Sequence, residues 1–90
     1  MNKVIKFSAA WCGPCKTMKS HYDKFADEVK GKGVDVLDLD VDTNSEEASK
    51  YGVRSIPFTV FIKDDKVVDK ISGVADTAAL LTKYTEVYQN

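Results

Sequence analysis

The chain of 90 residues has only two cysteines, two prolines, one tryptophan and one histidine, and neither sign of charge prevails. So little proline, beside 43% hydrophobic and 30% charged residues, excludes a low-complexity or disordered chain. Thirteen Lys and Arg against fourteen Asp and Glu leave a net charge of -1, with no basic cluster interleaved with aromatics, so nothing points to nucleic acid. No segment approaches the roughly 20 apolar residues of a membrane span, and Met1 to Phe7 holds no apolar run of signal-peptide length. A cytoplasmic protein without a membrane anchor is the expectation. There is no linker and no internal repeat, and so short a chain cannot supply two cores, so residues 1–90 are read as one domain. The two cysteines, Cys12 and Cys15, would close a tiny loop with little entropic benefit, and a reducing cytosol seldom keeps a permanent staple. Chemistry explains them better.

Residues 4–7 (Val-Ile-Lys-Phe) read as a strand, with Gly13-Pro14 opening a helix soon after. Cys15, Met18, Tyr22, Phe25 and Val29 recur at spacings of 3 and 4, one face of an amphipathic helix over about residues 13–30, stopped by Gly31 and Gly33. The segment Val34 to Val41, rich in β-branched and apolar residues, reads as a second strand, so residues 4–41 make a βαβ unit. Thr43 or Asn44 is expected to cap a short helix through Glu46 or Glu47, ending at Gly52. Phe58 to Ile62 and Val67 to Ile71, joined by a tight turn at Asp64-Asp65, form a hairpin, and the stripe Leu80, Leu81, Tyr84, Val87 and Tyr88 is a last helix capped near Asp76 or Thr77. The order is βαβαββα.

A thiol with a pKa of about 8.5 is about 3% ionised at pH 7, whereas one near 7 is about half ionised. Cys12 falls where the helix begins, and there unpaired N–H groups and the helix dipole favour an anionic sulfur. It is therefore the candidate nucleophile. Cys15, one turn on and in register with the buried stripe, is the candidate resolving thiol, which displaces the reduced product from a mixed disulfide on Cys12. The competing use of C-x-x-C is as half of a zinc site. A closed site wants four Cys or His ligands, and the chain adds only His21, so no metal is expected.

Trp11-Cys12-Gly13-Pro14-Cys15-Lys16, Asp40-Val41-Asp42, Tyr51-Gly52-Val53-Arg54-Ser55-Ile56-Pro57 and Gly73 resemble the thioredoxin family in order and spacing, over nearly the whole chain. The resemblance implies an α/β thioredoxin-like fold, a four-stranded mixed sheet flanked by helices, and a cis Ile56–Pro57 bond facing Cys12. It implies that Trp11 shapes the docking surface, that Gly13 and Pro14 support the cysteines, and that Ile56, Pro57, Gly73 and Val74 line a groove for an extended substrate strand. No cofactor is implied beyond the Cys12–Cys15 disulfide itself. The implied partners are disulfide-containing proteins, with ribonucleotide reductase, peroxidases and methionine sulfoxide reductases among the family's substrates, and a thioredoxin reductase as electron donor to a monomer.

The chain also departs from the family pattern. Thioredoxins usually start with a further strand and helix, so one sheet edge is expected to be bare. A proline that commonly bends the active-site helix is Ser20. Six residues before the first cysteine the family places a buried aspartate, near a lysine on the next strand; here the two positions hold Lys6 and Asp38. The expectation is an ion pair of reversed sign beneath Cys15, its cation favouring the Cys15 thiolate directly. Two weaker features take the bland reading. Asp38, Asp40 and Asp42 mimic the start of a calcium loop but lack its later Gly and Glu, and His21 lies off the apolar stripe.

The leading function is thus a protein-disulfide reductase. A glutathione-dependent, glutaredoxin-like enzyme is the alternative, with Gly13-Pro14 and the lack of a lysine just before the motif against it. An oxidant or isomerase of disulfides and a non-enzymatic interaction subunit complete the set.

Overall fold

The elements of the computed structural model, which describes residues 1–89, run β1 (Lys3–Ser8), α1 (Gly13–Val29), β2 (Asp35–Asp40), α2 (Ser45–Lys50), β3 (Phe58–Lys63), β4 (Lys66–Ser72) and α3 (Thr77–Tyr88). The strands form one sheet in the order β2-β1-β3-β4. β1 runs parallel to β2 and antiparallel to β3, so the sheet is mixed, and β2 and β4 are its edges. The parallel pair needs a crossover, and α1 supplies it. The hairpin turn holds Asp64 and Asp65 at positive φ of 52° and 67°, a conformation that Asp tolerates better than bulkier residues do.

Alternation along β1 divides the buried side chains between the two faces of the sheet. Val4 packs with Phe61 against Met18, Tyr22, Phe25 and Val29 of α1 and Leu80 and Tyr84 of α3. Ile5 and Phe7 point the other way, with Val60 and Ile62, toward Ala48, Tyr51, Val53 and Ile56. Helices α1 and α3 therefore cover one face of the sheet, and α2 with the segment after it covers the other. All five residues of the sequence-read α1 stripe are buried.

Two tyrosines pin helices to the sheet. The Tyr22 hydroxyl of α1 lies 2.6 Å from the Leu37 carbonyl and 3.2 Å from that of Val4, and the Tyr88 hydroxyl of α3 lies 2.7 Å from the Ile62 carbonyl and 3.0 Å from that of Lys3. α3 is capped at Asp76, whose carboxylate accepts the Ala79 N–H at 2.8 Å. The capping box expected for α2 does not form: Asn44 is the N-cap without a side-chain bond to the helix, because its amide donates back to the Asp40 carbonyl at 2.9 Å.

Candidate active site

Cys12 is the N-cap of α1, in extended backbone (φ -88°, ψ 111°), and Pro14 occupies the first turn, where no N–H is required. Its sulfur accepts the Cys15 N–H at 3.1 Å. A polarised, otherwise orphaned amide of the helix start is thus aimed at the atom that carries charge in the reduced protein. Cys12 and Cys15 are joined as a disulfide, with Cα atoms 5.3 Å apart. In this oxidised state both are buried, at 5% and 4% exposure, in a small cluster with Ala9, Val41 and Ile56.

The surroundings of the sulfurs differ on their two sides. On the first side, Cys12 Sγ lies 3.9 Å from the Ile56 carbonyl oxygen, and the Ile56–Pro57 bond is cis, the geometry the resemblance implied. Trp11 is 68% exposed, with its indole N–H donating to Asp42 Oδ2 at 2.9 Å. Trp11 and Ile56, with Val41, Ala48, Val53, Arg54 and Ser55, line a shallow apolar groove of about 180 Å³. Gly73, at φ 89°, donates its N–H to the Pro57 carbonyl at 2.9 Å, and Val74 is exposed; neither lines that groove.

On the other side, Cys15 lines an open cavity of about 390 Å³ with Lys6, Ser8, Lys16, Lys19, Asp38 and Asp40. Lys6 and Asp38 are register partners on β1 and β2, and Lys6 Nζ lies 3.1 Å from Asp38 Oδ2. The Lys6 side chain is 1% exposed and that of Asp38 is 37% exposed. The ammonium also sits 4.9 Å above the Tyr22 ring, and Ser8 donates its hydroxyl to the second Asp38 oxygen at 3.0 Å. A fully buried lysine needs such partners.

The aspartates that mimic a calcium loop go separate ways. Asp38 meets Lys6, Asp40 accepts the Asp42 N–H at 2.7 Å, and Asp42 meets Trp11. Among the described residues no three His, Cys, Asp or Glu side chains come together to hold a metal ion. Sequence reading missed Asp42 as the partner of Trp11 and Ser8 as that of Asp38. The only available signal was the place of Ser8 at the end of β1 and of Asp42 in the Asp40-Val41-Asp42 block just beyond β2.

The sequence profile of the family described as thioredoxin matches residues 1–86. The chain belongs to the thioredoxin family. A thioredoxin of Staphylococcus epidermidis is 45% identical over 71 residues, which make up 79% of this chain and 67% of that protein. Among solved structures, the thioredoxin of Fasciola hepatica superposes with a TM-score of 0.83 at 40% identity, over 94% of this chain and 79% of that one. The thioredoxin of Malassezia sympodialis does so with a TM-score of 0.83 at 36% identity, over 94% and 73%. Family membership and a bonded Cys-x-x-Cys pair at a helix start make the chain a thiol-disulfide oxidoreductase of the protein-disulfide reductase kind, and they favour that reading over the glutaredoxin-like and non-enzymatic ones. Disulfide-containing proteins and a thioredoxin reductase are the family's general partners. Among the described residues no helix is long and apolar enough to cross a membrane.

Proposed function

We propose that Cys12 is the attacking thiol and Cys15 the resolving one, with Trp11, Ile56 and Pro57 receiving an extended segment of a protein substrate. The single observation that carries this assignment is the Cys15 N–H directed at the Cys12 sulfur on the helix cap. In the reduced protein the same amide and the helix dipole lower the energy of the Cys12 thiolate. The thiolate attacks one sulfur of the substrate disulfide; a Cys12–substrate bond forms, and the other substrate sulfur leaves with the electron pair and takes a proton from water. Cys15 then loses its proton and attacks Cys12. The Cys12–Cys15 bond forms, the mixed disulfide breaks, and the second substrate sulfur departs as a thiolate. Two electrons have passed from the dithiol to the substrate, and a thioredoxin reductase restores them.

The groove beside Trp11 suits this role because it is apolar, shallow and bordered by the Ile56 carbonyl, a backbone acceptor close to the sulfur. We assign Gly73 and Val74 to the far rim of the docking surface, where Gly73 braces Pro57. The protein acts as a cytoplasmic monomer in this reading. Its test is insulin reduction with dithiothreitol as donor, together with trapping by a Cys15→Ser variant. Wild type precipitates insulin, Cys12→Ser is inactive, and Cys15→Ser accumulates a covalent adduct on Cys12. An adduct that forms instead on Cys15 of a Cys12→Ser variant, at the same rate, refutes the division of roles.

A further inference from the structure

We infer that Lys6 is a positioning residue for the second half-reaction: its buried ammonium lowers the energy of the Cys15 thiolate, and the cavity beside Asp38 is the exit for the Cys15 proton. This rests on the proposed division of labour between the two cysteines and says how the buried one is made reactive.

An ion pair is neutral as a whole, so its effect at a third group depends on which charge water screens. β1 lies inside the sheet and β2 at its edge, so the cation on β1 is 1% exposed while the carboxylate on β2 is 37% exposed. Exposed charges are screened strongly and buried ones little, which leaves a net positive field on the Cys15 side of the pair. The other charged groups on the cavity wall are Lys16 and Lys19 from α1 and Asp40 from β2. Both lysines are exposed, Lys19 is held by Asp23 at 2.8 Å, and Asp40 is turned to the Asp42 amide, so Lys6 is the dry charge among them. The Tyr22 ring beneath Lys6 and the Asp38 carboxylate beside it fix the ammonium in place. In the resolving step Cys15 gives up its proton, and the cavity it shares with Asp38 and Ser8 opens to water, which takes that proton before Cys15 attacks Cys12.

Removing a nearby buried cation should raise the Cys15 pKa by about one unit. Below both values the thiolate fraction then falls about tenfold, while each thiolate becomes about threefold more nucleophilic, so resolution slows about threefold. The test measures iodoacetamide alkylation of Cys15 against pH, resolved from Cys12 by peptide mass, in reduced wild type, Lys6→Met, and the exchanged pair Lys6→Asp with Asp38→Lys. The expected order of apparent Cys15 pKa is wild type lowest, Lys6→Met higher, and the exchanged pair highest, since there the buried charge is negative. A purely structural pair predicts otherwise: the exchange keeps the bridge and returns Cys15 to its wild-type value. That result, or an unchanged Cys15 in Lys6→Met, overturns the inference. If one variant fails to fold, the other still decides, because each has its own predicted direction. The alkylation needs no substrate, so it stands apart from the insulin assay, whose failure in wild type would instead refute the reductase reading.

Discussion

Tyr22→Phe removes one oxygen from the junction of α1, β1 and β2 and leaves everything else in place. The hydroxyl has a single hydrogen, so it serves one of its two carbonyl neighbours at a time, and the Leu37 oxygen at 2.6 Å is the stronger partner. Burial first, and then the negative charge of Asp38, push the phenol pKa well above its ordinary range, so the group is neutral in any assay near pH 7. The lost bond is neutral to neutral and is expected to cost about 1 kcal/mol, with no cavity term because the ring stays. For a chain of this size that lowers the midpoint of thermal unfolding by about 4–8 °C. Tyr22→Ala also deletes the ring that packs against Phe25 and underlies Lys6, and should cost about 3–5 kcal/mol. Thermal unfolding followed by far-ultraviolet circular dichroism on the oxidised proteins measures both. A Tyr22→Phe midpoint within about 1 °C of wild type would refute the hydroxyl as a clamp, and a loss as large as that of Tyr22→Ala would refute the separation of hydroxyl from ring.

Tyr88 gives a pH-dependent counterpart. Burial first, and then Tyr84, push its phenol up to about 12. The folded protein then keeps a proton that the unfolded chain releases near pH 10, so this contribution is whole below about pH 10 and fades as pH climbs through about 12. Two units would be about 2.7 kcal/mol for a sheltered group; for a partly exposed ring about 1 kcal/mol is expected, and Tyr88→Phe should flatten urea stability between pH 9.5 and 11.5 by about that much. Thr59 is fully buried and its hydroxyl has no hydrogen-bond partner among the described residues, so Thr59→Val, equal in shape, should raise stability by about 1 kcal/mol, read as a higher urea midpoint at unchanged slope.

Local pattern carried most of the architecture. The α1 stripe, the hairpin turn at Asp64-Asp65 and the Asp76 cap depend on neighbours within about four residues, so periodicity and capping chemistry expose them directly. The two thiols were legible for the same reason, because a helix start and a spacing of three define both environments. Long-range side-chain contacts, whether to another side chain or to a backbone carbonyl, were not. Ser8 with Asp38, Trp11 with Asp42 and Tyr88 with Lys3 are 30, 31 and 85 residues apart, and only strand register and loop course bring them together. Asn44 takes the N-cap position as read but makes no side-chain bond to the helix, for a related reason: its amide donates to the Asp40 carbonyl, set by the turn after β2. Lys6 with Asp38 was the exception, because the resemblance, not any local signal, drew attention to both positions.

That exception separates what a fold preserves from what a reaction uses. An ion pair between β1 and β2 satisfies the sheet whichever strand holds the cation, since one neutral unit results either way. The thiol beside it is not indifferent. β1 is flanked by strands on both sides and covered by α1, while β2 has a neighbour on one side only, so the charge on β1 is the one that Cys15 senses through dry protein. Exchange of the two residues therefore leaves the architecture, the helix-capped Cys12 and the class of reaction untouched, and changes the sign of the field in which the second thiol must ionise. Overall likeness to other thioredoxins is informative about the first cysteine and silent about the second, and the sequence position that governs the difference lies six residues upstream of the motif, on the floor of the site.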